Sequence, residues 1–118
     1  MPRPDFNGTN IFVTGGAGFI GSHIVDQLLS AGAARVVVVD DFVRGRHENL
    51  ASAAATGRLR VVTGDIRDNA LVDDLTAGAD YVFHQAALRI TQCAEEPRKA
   101  VEVMVNGTQN VLEAAVRH

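Results

Sequence analysis

The stretch FVTGGAGFIGSH, Phe12–His23, sets four glycines within seven residues between an apolar run and an amphipathic one. Glycine loses more conformational freedom on folding than any other residue, so such a cluster inside a core-forming region needs a compensating purpose. Before it, IFVT (Ile11–Thr14) reads as a β-strand. After it, Ile20, Ile24, Val25, Leu28 and Leu29 share one helical face, Ser22, His23, Asp26 and Gln27 share the other, and Gly32 marks the stop.

A strand–turn–helix junction of this composition carries its own chemistry. The first turn of a helix leaves backbone N–H groups without partners, and the helix dipole places about half a positive charge there. A diphosphate answers both features, provided that no Cβ blocks its approach. Gly15, Gly18 and Gly21 recur at three-residue intervals, and Gly21 also lets the helix lie close to the sheet. Gly16-x-Gly18-x-x-Gly21 is in addition the general dinucleotide fingerprint. By itself that motif is weak, and its context strengthens it. Asp40 lies 19 positions beyond Gly21, at the end of the next strand, close to the spacing of about 20 for a ribose-binding carboxylate. A carboxylate there accepts hydrogen bonds from both adenosine ribose hydroxyls and repels a 2′-phosphate, which favours NAD over NADP. Arg44 and Arg46, in the same loop, either hold such a phosphate or stand as solvated charges.

The rest of the chain repeats the alternation. Val36–Val39 is a β-branched run of the kind buried on both faces of a parallel sheet. A short helix follows around Glu48–Ala55, then a strand at Leu59–Thr63. Asp68 caps a helix carrying Leu71, Val72 and Leu75, and Tyr81–His84 is the fourth strand. A long helix starts near Pro97, with an apolar stripe of Val101, Met104, Val105, Thr108, Val111, Leu112 and Ala115. Gly107 inside it costs about 1 kcal/mol relative to alanine, which suggests a close backbone approach. The expected fold is α/β, a Rossmann-type parallel sheet of order 3-2-1-4, ending before a fifth strand, with residues 1–118 as one partial domain.

Bulk properties narrow the function. With 47% apolar and 21% charged residues, the chain belongs with globular proteins that can build a core. A net charge of −3 suggests no nucleic-acid partner. The single cysteine, Cys93, rules out an internal disulfide and fits a reducing compartment. No apolar run approaches the roughly 20 residues that span a bilayer, and the opening MPRPDFNGTN lacks the apolar middle of a signal peptide. These readings point to the cytoplasm and to no membrane partner. His23, His47, His84, His118 and Cys93 do not approach metal-ligand spacing, so no metal is expected.

TGGAGFIGSH, VVDDFVRGRHENL, GDIRD, HQAA and NGTQNVLEA, taken together and in this order, resemble the extended short-chain dehydrogenase/reductases. The resemblance is closest to their NAD-dependent nucleotide-sugar epimerase and dehydratase branch, the UDP-glucose 4-epimerase-like enzymes, and runs from about Ile11 to the end. It implies that Phe19 and Ile20 lie over the pyrophosphate. Asp40, Asp41, Phe42, Val43, Arg44 and Gly45 would line the adenosine ribose, with Asp40 the main acceptor. Asp65 and Ile66 would border the adenine, with the Asp65 carboxylate toward its amino group. Gln85, Ala86, Ala87 and Arg89 would run beside the nicotinamide ribose.

The resemblance also implies a hydride relay between a nucleotide sugar and NAD, run by a Tyr-x-x-x-Lys pair. The only tyrosine here is Tyr81, and position 85 is Gln. No catalytic residue is therefore assigned, and this chain is expected to be the cofactor-binding part of a longer enzyme, inactive alone. Met104 and Cys93 stand where the family often has Asn and Ser; core packing is the expected role of Met104. The helix from 97 to 118 would join a partner helix in a homodimer. Two other readings use the same glycine turn: a non-catalytic dinucleotide sensor or scaffold, and a methyltransferase-type nucleoside binder. The glycine spacing and Asp40 suit the second of these less well.

Overall fold

The computed structural model describes residues 3–118; Met1 and Pro2, the start of the expected 1–118 unit, lie outside the described residues. Four strands form the sheet: β1 (Asn10–Thr14), β2 (Arg35–Asp40), β3 (Leu59–Thr63) and β4 (Tyr81–His84). Every pairing is parallel, and the order is β3-β2-β1-β4, as the sequence pattern implies. Parallel neighbours need crossovers, and helices provide them. These are α1 (Phe19–Ser30), a 3₁₀ turn (His47–Leu50) running into α2 (Ala51–Ala55), and α3 (Asn69–Thr76). After β4 come α4 (Ile90–Glu95), α5 (Pro97–Val101), a π-helical segment (Glu102–Gly107) and α6 (Thr108–Arg117).

Side-chain alternation along the strands divides the core into two layers. Ile11, Val13, Val36 and Val38 face α1 and α2, meeting Val25, Leu28, Leu29, Leu50 and Ala53. Phe12 and Val39 face the other way, toward Val72, Leu75, Val103, Val111 and Ala114 of α3, the π segment and α6. The helix ends are locally specified. The Asp68 carboxylate accepts the Leu71 amide at 3.1 Å and caps α3. At the end of α1, the Gly32 amide donates to Leu29 and the Ala33 amide to Leu28 (both 3.1 Å), the paired bonds of a Schellman stop. The Arg58 guanidinium adds bonds to the carbonyls of Leu29 and Ala33, placing a cation at the negative end of that helix.

Three sequence expectations are corrected. On α1, Ile20 is 65% exposed, whereas Ser22, expected outside, is buried and donates to the Phe19 carbonyl. The buried face of α1 runs through Gly21, Ser22, Val25, Leu28 and Leu29, which leaves Ile20 off that face beside the exposed Phe19. The long helix does run on from Pro97, but its middle is π-helical, and the wider turn rotates the residues beyond it. Its buried face is Val103, Gly107, Val111 and Ala114; Val101, Val105 and Leu112 are 55–60% exposed, and Met104 is 40% exposed. The close approach at Gly107 is to a side chain, not a backbone: a Cβ there would stand 2.7 Å from Ile66 Cδ1.

Candidate functional site

The site lies at the carboxyl ends of the strands, where β1 is flanked by β2 on one side and β4 on the other. Crossovers from these neighbours leave in different directions, which opens a crevice. That cleft is lined by Gly15, Gly18, Asp40, Asp41, Val43, Arg44, Gly45, Asp65, Ile66, Gln85, Ala86 and Ala87, and also by Val39, Gly64, Leu88, Gln92 and Val103.

The glycine turn is built for close contact. Gly15 holds φ +68°, and a Cβ on it would meet backbone atoms of Gln85 and Ala86 at 2.7–2.8 Å. The turn therefore rests directly on the chain leaving β4. Gly18 caps α1 with no side-chain hydrogen bond, so the amides of the first turn carry no capping acceptor. Gly21 is packed against the turn itself; its Cβ would stand 2.2 Å from the Gly15 carbonyl oxygen. Open amides, a positive helix end and an absence of side chains at the approach fit a diphosphate.

Asp40 is 9% exposed at the end of β2. Its Oδ2 accepts the Ala17 amide at 3.0 Å and its Oδ1 accepts the Phe42 amide at 2.9 Å, tying the glycine turn to the next loop. A carboxylate offers about four acceptor positions, so two remain for a ligand. The second bond holds Phe42 at φ +60°, a conformation that costs a bulky residue dearly. Phe42 is turned away from the cleft and stacks on His47, with ring centroids 4.0 Å apart and planes 9° apart. Arg44 reaches the cleft wall; the Arg46 amide instead donates to the Ala17 carbonyl.

Asp65 is a wall residue whose carboxylate is already engaged. Arg67 donates to both of its oxygens through Nε and Nη2, and through Nη1 to Glu102 at 3.0 Å. The Arg67 hydrogen bonds hold the Asp65 carboxyl below its ordinary value, and raise Arg67 further above its own. Both side chains are more than a third exposed, so solvent leaves the pair a contribution below about 1 kcal/mol. A depressed carboxyl stabilises the fold above its unfolded pKa and loses that contribution as pH falls through the folded one. Arg67→Gln is expected to move the Asp65 titration upward, toward the ordinary carboxylate value, in a carboxyl carbon NMR titration. An unmoved Asp65 would contradict the assignment.

Of the residues expected at the site, five do not line the cleft. Phe19 and Ile20 stand exposed at the start of α1, Gly21 packs under the turn, Phe42 faces His47, and Arg89 precedes α4 on the surface. Val39 and Gly64 escape the sequence reading although each adjoins a named carboxylate at a strand end. Leu88, Gln92 and Val103 carry no signal, because the bends after β4 and the π turn bring them in. Met104 is not core packing: its sulfur accepts the Leu88 amide at 3.3 Å, and the Cys93 thiol lies 4.0 Å from the Leu88 carbonyl. Among the described residues, no group of three or more His, Cys, Asp or Glu could hold a metal, and no helix is long and apolar enough to cross a membrane.

Strand order, glycine turn and switch-point cleft define a protein of the doubly wound, Rossmann-type class. Residues 12–118 match the 3-beta hydroxysteroid dehydrogenase/isomerase family, and the chain belongs to that family. The expected kinship with nucleotide-sugar enzymes holds as well. The dTDP-glucose 4,6-dehydratase of Actinoplanes sp. is 42% identical over 116 residues, covering 92% of this chain and 36% of that protein. The solved dTDP-glucose 4,6-dehydratase DesIV of Streptomyces venezuelae, with NAD bound, superposes at TM-score 0.84 and 41% identity, covering 92% of this chain and 36% of its own. The UDP-glucose 4-epimerase of Thermotoga maritima, solved with UDP-glucose, gives 0.81 and 34%, covering 92% and 34%. The chain thus spans about a third of the length of the relatives it matches.

Proposed function

We propose that these 118 residues form the NAD-binding part of a nucleotide-sugar epimerase or dehydratase. The observation that carries this reading is the pairing of an uncapped α1 terminus, cleared by glycines, with a cleft-lining carboxylate at the end of β2. The amides of Phe19, Ile20 and Gly21 would hold the diphosphate, and the two free acceptor positions of Asp40 would take the adenosine ribose hydroxyls. Asp65 and Ile66 would border the adenine; Gln85, Ala86 and Ala87 would pass along the nicotinamide ribose. When bound, NAD supplies a hydride acceptor for a sugar carbon. Side chains of the Tyr-x-x-x-Lys type would remove the sugar hydroxyl proton, and none occurs within this sequence. A nucleotide sugar is the proposed substrate of the longer enzyme. The exposed Val101, Val105, Leu112 and Val116 would be the dimer-forming side of its 97–118 helix.

Calorimetric titration of the chain with NAD and with NADP tests the reading. Binding of NAD in preference to NADP is expected, with no conversion when a UDP- or dTDP-sugar is added. Absence of NAD binding by a folded chain, or tighter NADP binding, overturns the cofactor assignment; conversion of sugar by these residues alone overturns the division of labour.

A further inference from the structure

His84 is a half-buried titratable group that the proposed chemistry does not use, and its hydrogen bonds fix where its proton sits. Nδ1 lies 2.6 Å from Thr14 Oγ1 and Nε2 lies 3.1 Å from Thr108 Oγ1. The Thr108 hydroxyl already donates to the Met104 carbonyl at 2.7 Å, so toward His84 it accepts, and Nε2 carries the proton. Thr14 Oγ1 already accepts the Ala86 amide at 3.2 Å and shares the Gln85 amide, at 3.1 Å, with the Thr14 carbonyl at 3.0 Å, so its one proton goes to Nδ1. The imidazole is therefore neutral and accepts at Nδ1. Burial acts the same way, pushing its pKa below the ordinary value with no charged group contributing.

This ring pins three elements at the cleft. Thr14 ends β1 and opens the glycine turn; Gln85 and Ala86 form the facing wall; Thr108 opens α6. Gly15 rests flush on Gln85 and Ala86, so there is no slack between turn and wall. A second proton on the ring would turn Nδ1 from acceptor to donor. It would then face an oxygen that already receives the Ala86 amide and a share of the Gln85 amide, and whose own proton has lost its acceptor. The two groups that hydrogen-bond the ring, Thr14 Oγ1 from β1 and Thr108 Oγ1 from α6, neither titrate nor carry charge, so neither can neutralise the cation.

Resting on the proposed NAD site, we propose that neutral His84 is a positioning residue for the dinucleotide, and that a proton taken up at Nδ1 releases Thr14 and loosens the cleft. NAD affinity is then linked to one proton. The free chain takes up that proton more readily than the complex, and binding weakens as pH falls below the His84 pKa of the free chain.

The test measures NAD affinity of the 118-residue chain from pH 7.5 down to 5, beside His84→Gln and His84→Leu, with thermal melts at each pH. Gln keeps one acceptor and one donor without titrating; Leu keeps neither. Wild-type affinity is expected to fall by up to about tenfold per pH unit at the acid end of the range, the limit for one linked proton. His84→Gln should stay flat over the part of that fall that His84 causes. His84→Leu should lose about fivefold at pH 7.5, the equivalent of one ordinary hydrogen bond. Ring nitrogen NMR of the wild type gives a second readout that needs no variant: an Nε2–H tautomer whose titration moves to lower pH when NAD is added. NAD binding with the same pH slope in wild type and His84→Gln overturns the inference alone, as does an Nδ1–H tautomer. A folded wild type that binds no NAD at pH 7.5 overturns the functional reading beneath it.

Discussion

Gly21→Ala should leave a chain that folds less stably and binds NAD on the order of a hundredfold more weakly. The added methyl would stand 2.2 Å from the Gly15 carbonyl oxygen and 3.0 Å from the Gly15 carbonyl carbon and Gly16 Cα. All three are backbone atoms, so no rotamer change relieves the clash; the turn and the start of α1 must separate by about an ångström. Overpacking of this kind costs about 1–3 kcal/mol, and the better helix propensity of alanine returns at most about 1 kcal/mol. The net loss should lower the thermal midpoint by roughly 5–10 °C. Binding suffers more than stability, because displacement by about an ångström can cost a positioned group a hundredfold. Calorimetry and a thermal melt separate the two effects. Wild-type NAD affinity in this variant would mean that the turn does not hold the diphosphate.

Asp40→Ala is the second large effect, and it acts through two functions of one carboxylate. The buried Ala17 amide and the Phe42 amide lose their acceptor. An unsatisfied buried donor costs about 1–3 kcal/mol, so destabilisation of about 2–4 kcal/mol is expected. Phe42 then keeps only its stacking on His47 against the cost of its positive φ, and the Asp41–Gly45 wall should relax. On top of this, loss of the proposed charge-assisted bonds to two ribose hydroxyls should weaken NAD binding by on the order of a hundredfold. Removing the negative charge should also narrow the preference for NAD over NADP. Asp40→Asn separates these roles: it is nearly the same shape but offers one acceptor, so it should melt above Asp40→Ala while still binding NAD poorly. A variant that melts lower yet keeps NAD affinity would confine Asp40 to a structural role.

Features governed by local chemistry are legible in the residues alone. The strands, the sheet order, the Asp68 cap and the Gly32 stop follow from residue type, spacing and the handedness of crossovers. Twelve of the residues expected at the site line the cleft, because strand ends in a parallel sheet converge on one edge. The misreadings share a cause. Val101, Val105 and Leu112 are apolar at helical spacing, and periodicity assigns such residues inward. It has no means of seeing a π turn, or of telling a face that enters the core from one left open. Periodicity misplaces Met104 for the same reason, and its bond to the Leu88 amide joins segments 16 residues apart.

The sequence by itself determined the kind of machine: a glycine-cleared helix terminus and a carboxylate one strand further on, set by short-range rules of backbone and charge. Tertiary structure alone decided how those parts are held. Asp40 serves two amides of its own chain before any ligand, Asp65 is claimed by Arg67, and His84 joins Thr14 to Thr108 across 70 and 24 residues. Hydrogen bonds of that reach depend on which strands become neighbours and how deeply a ring is buried, and no spacing along one chain encodes either.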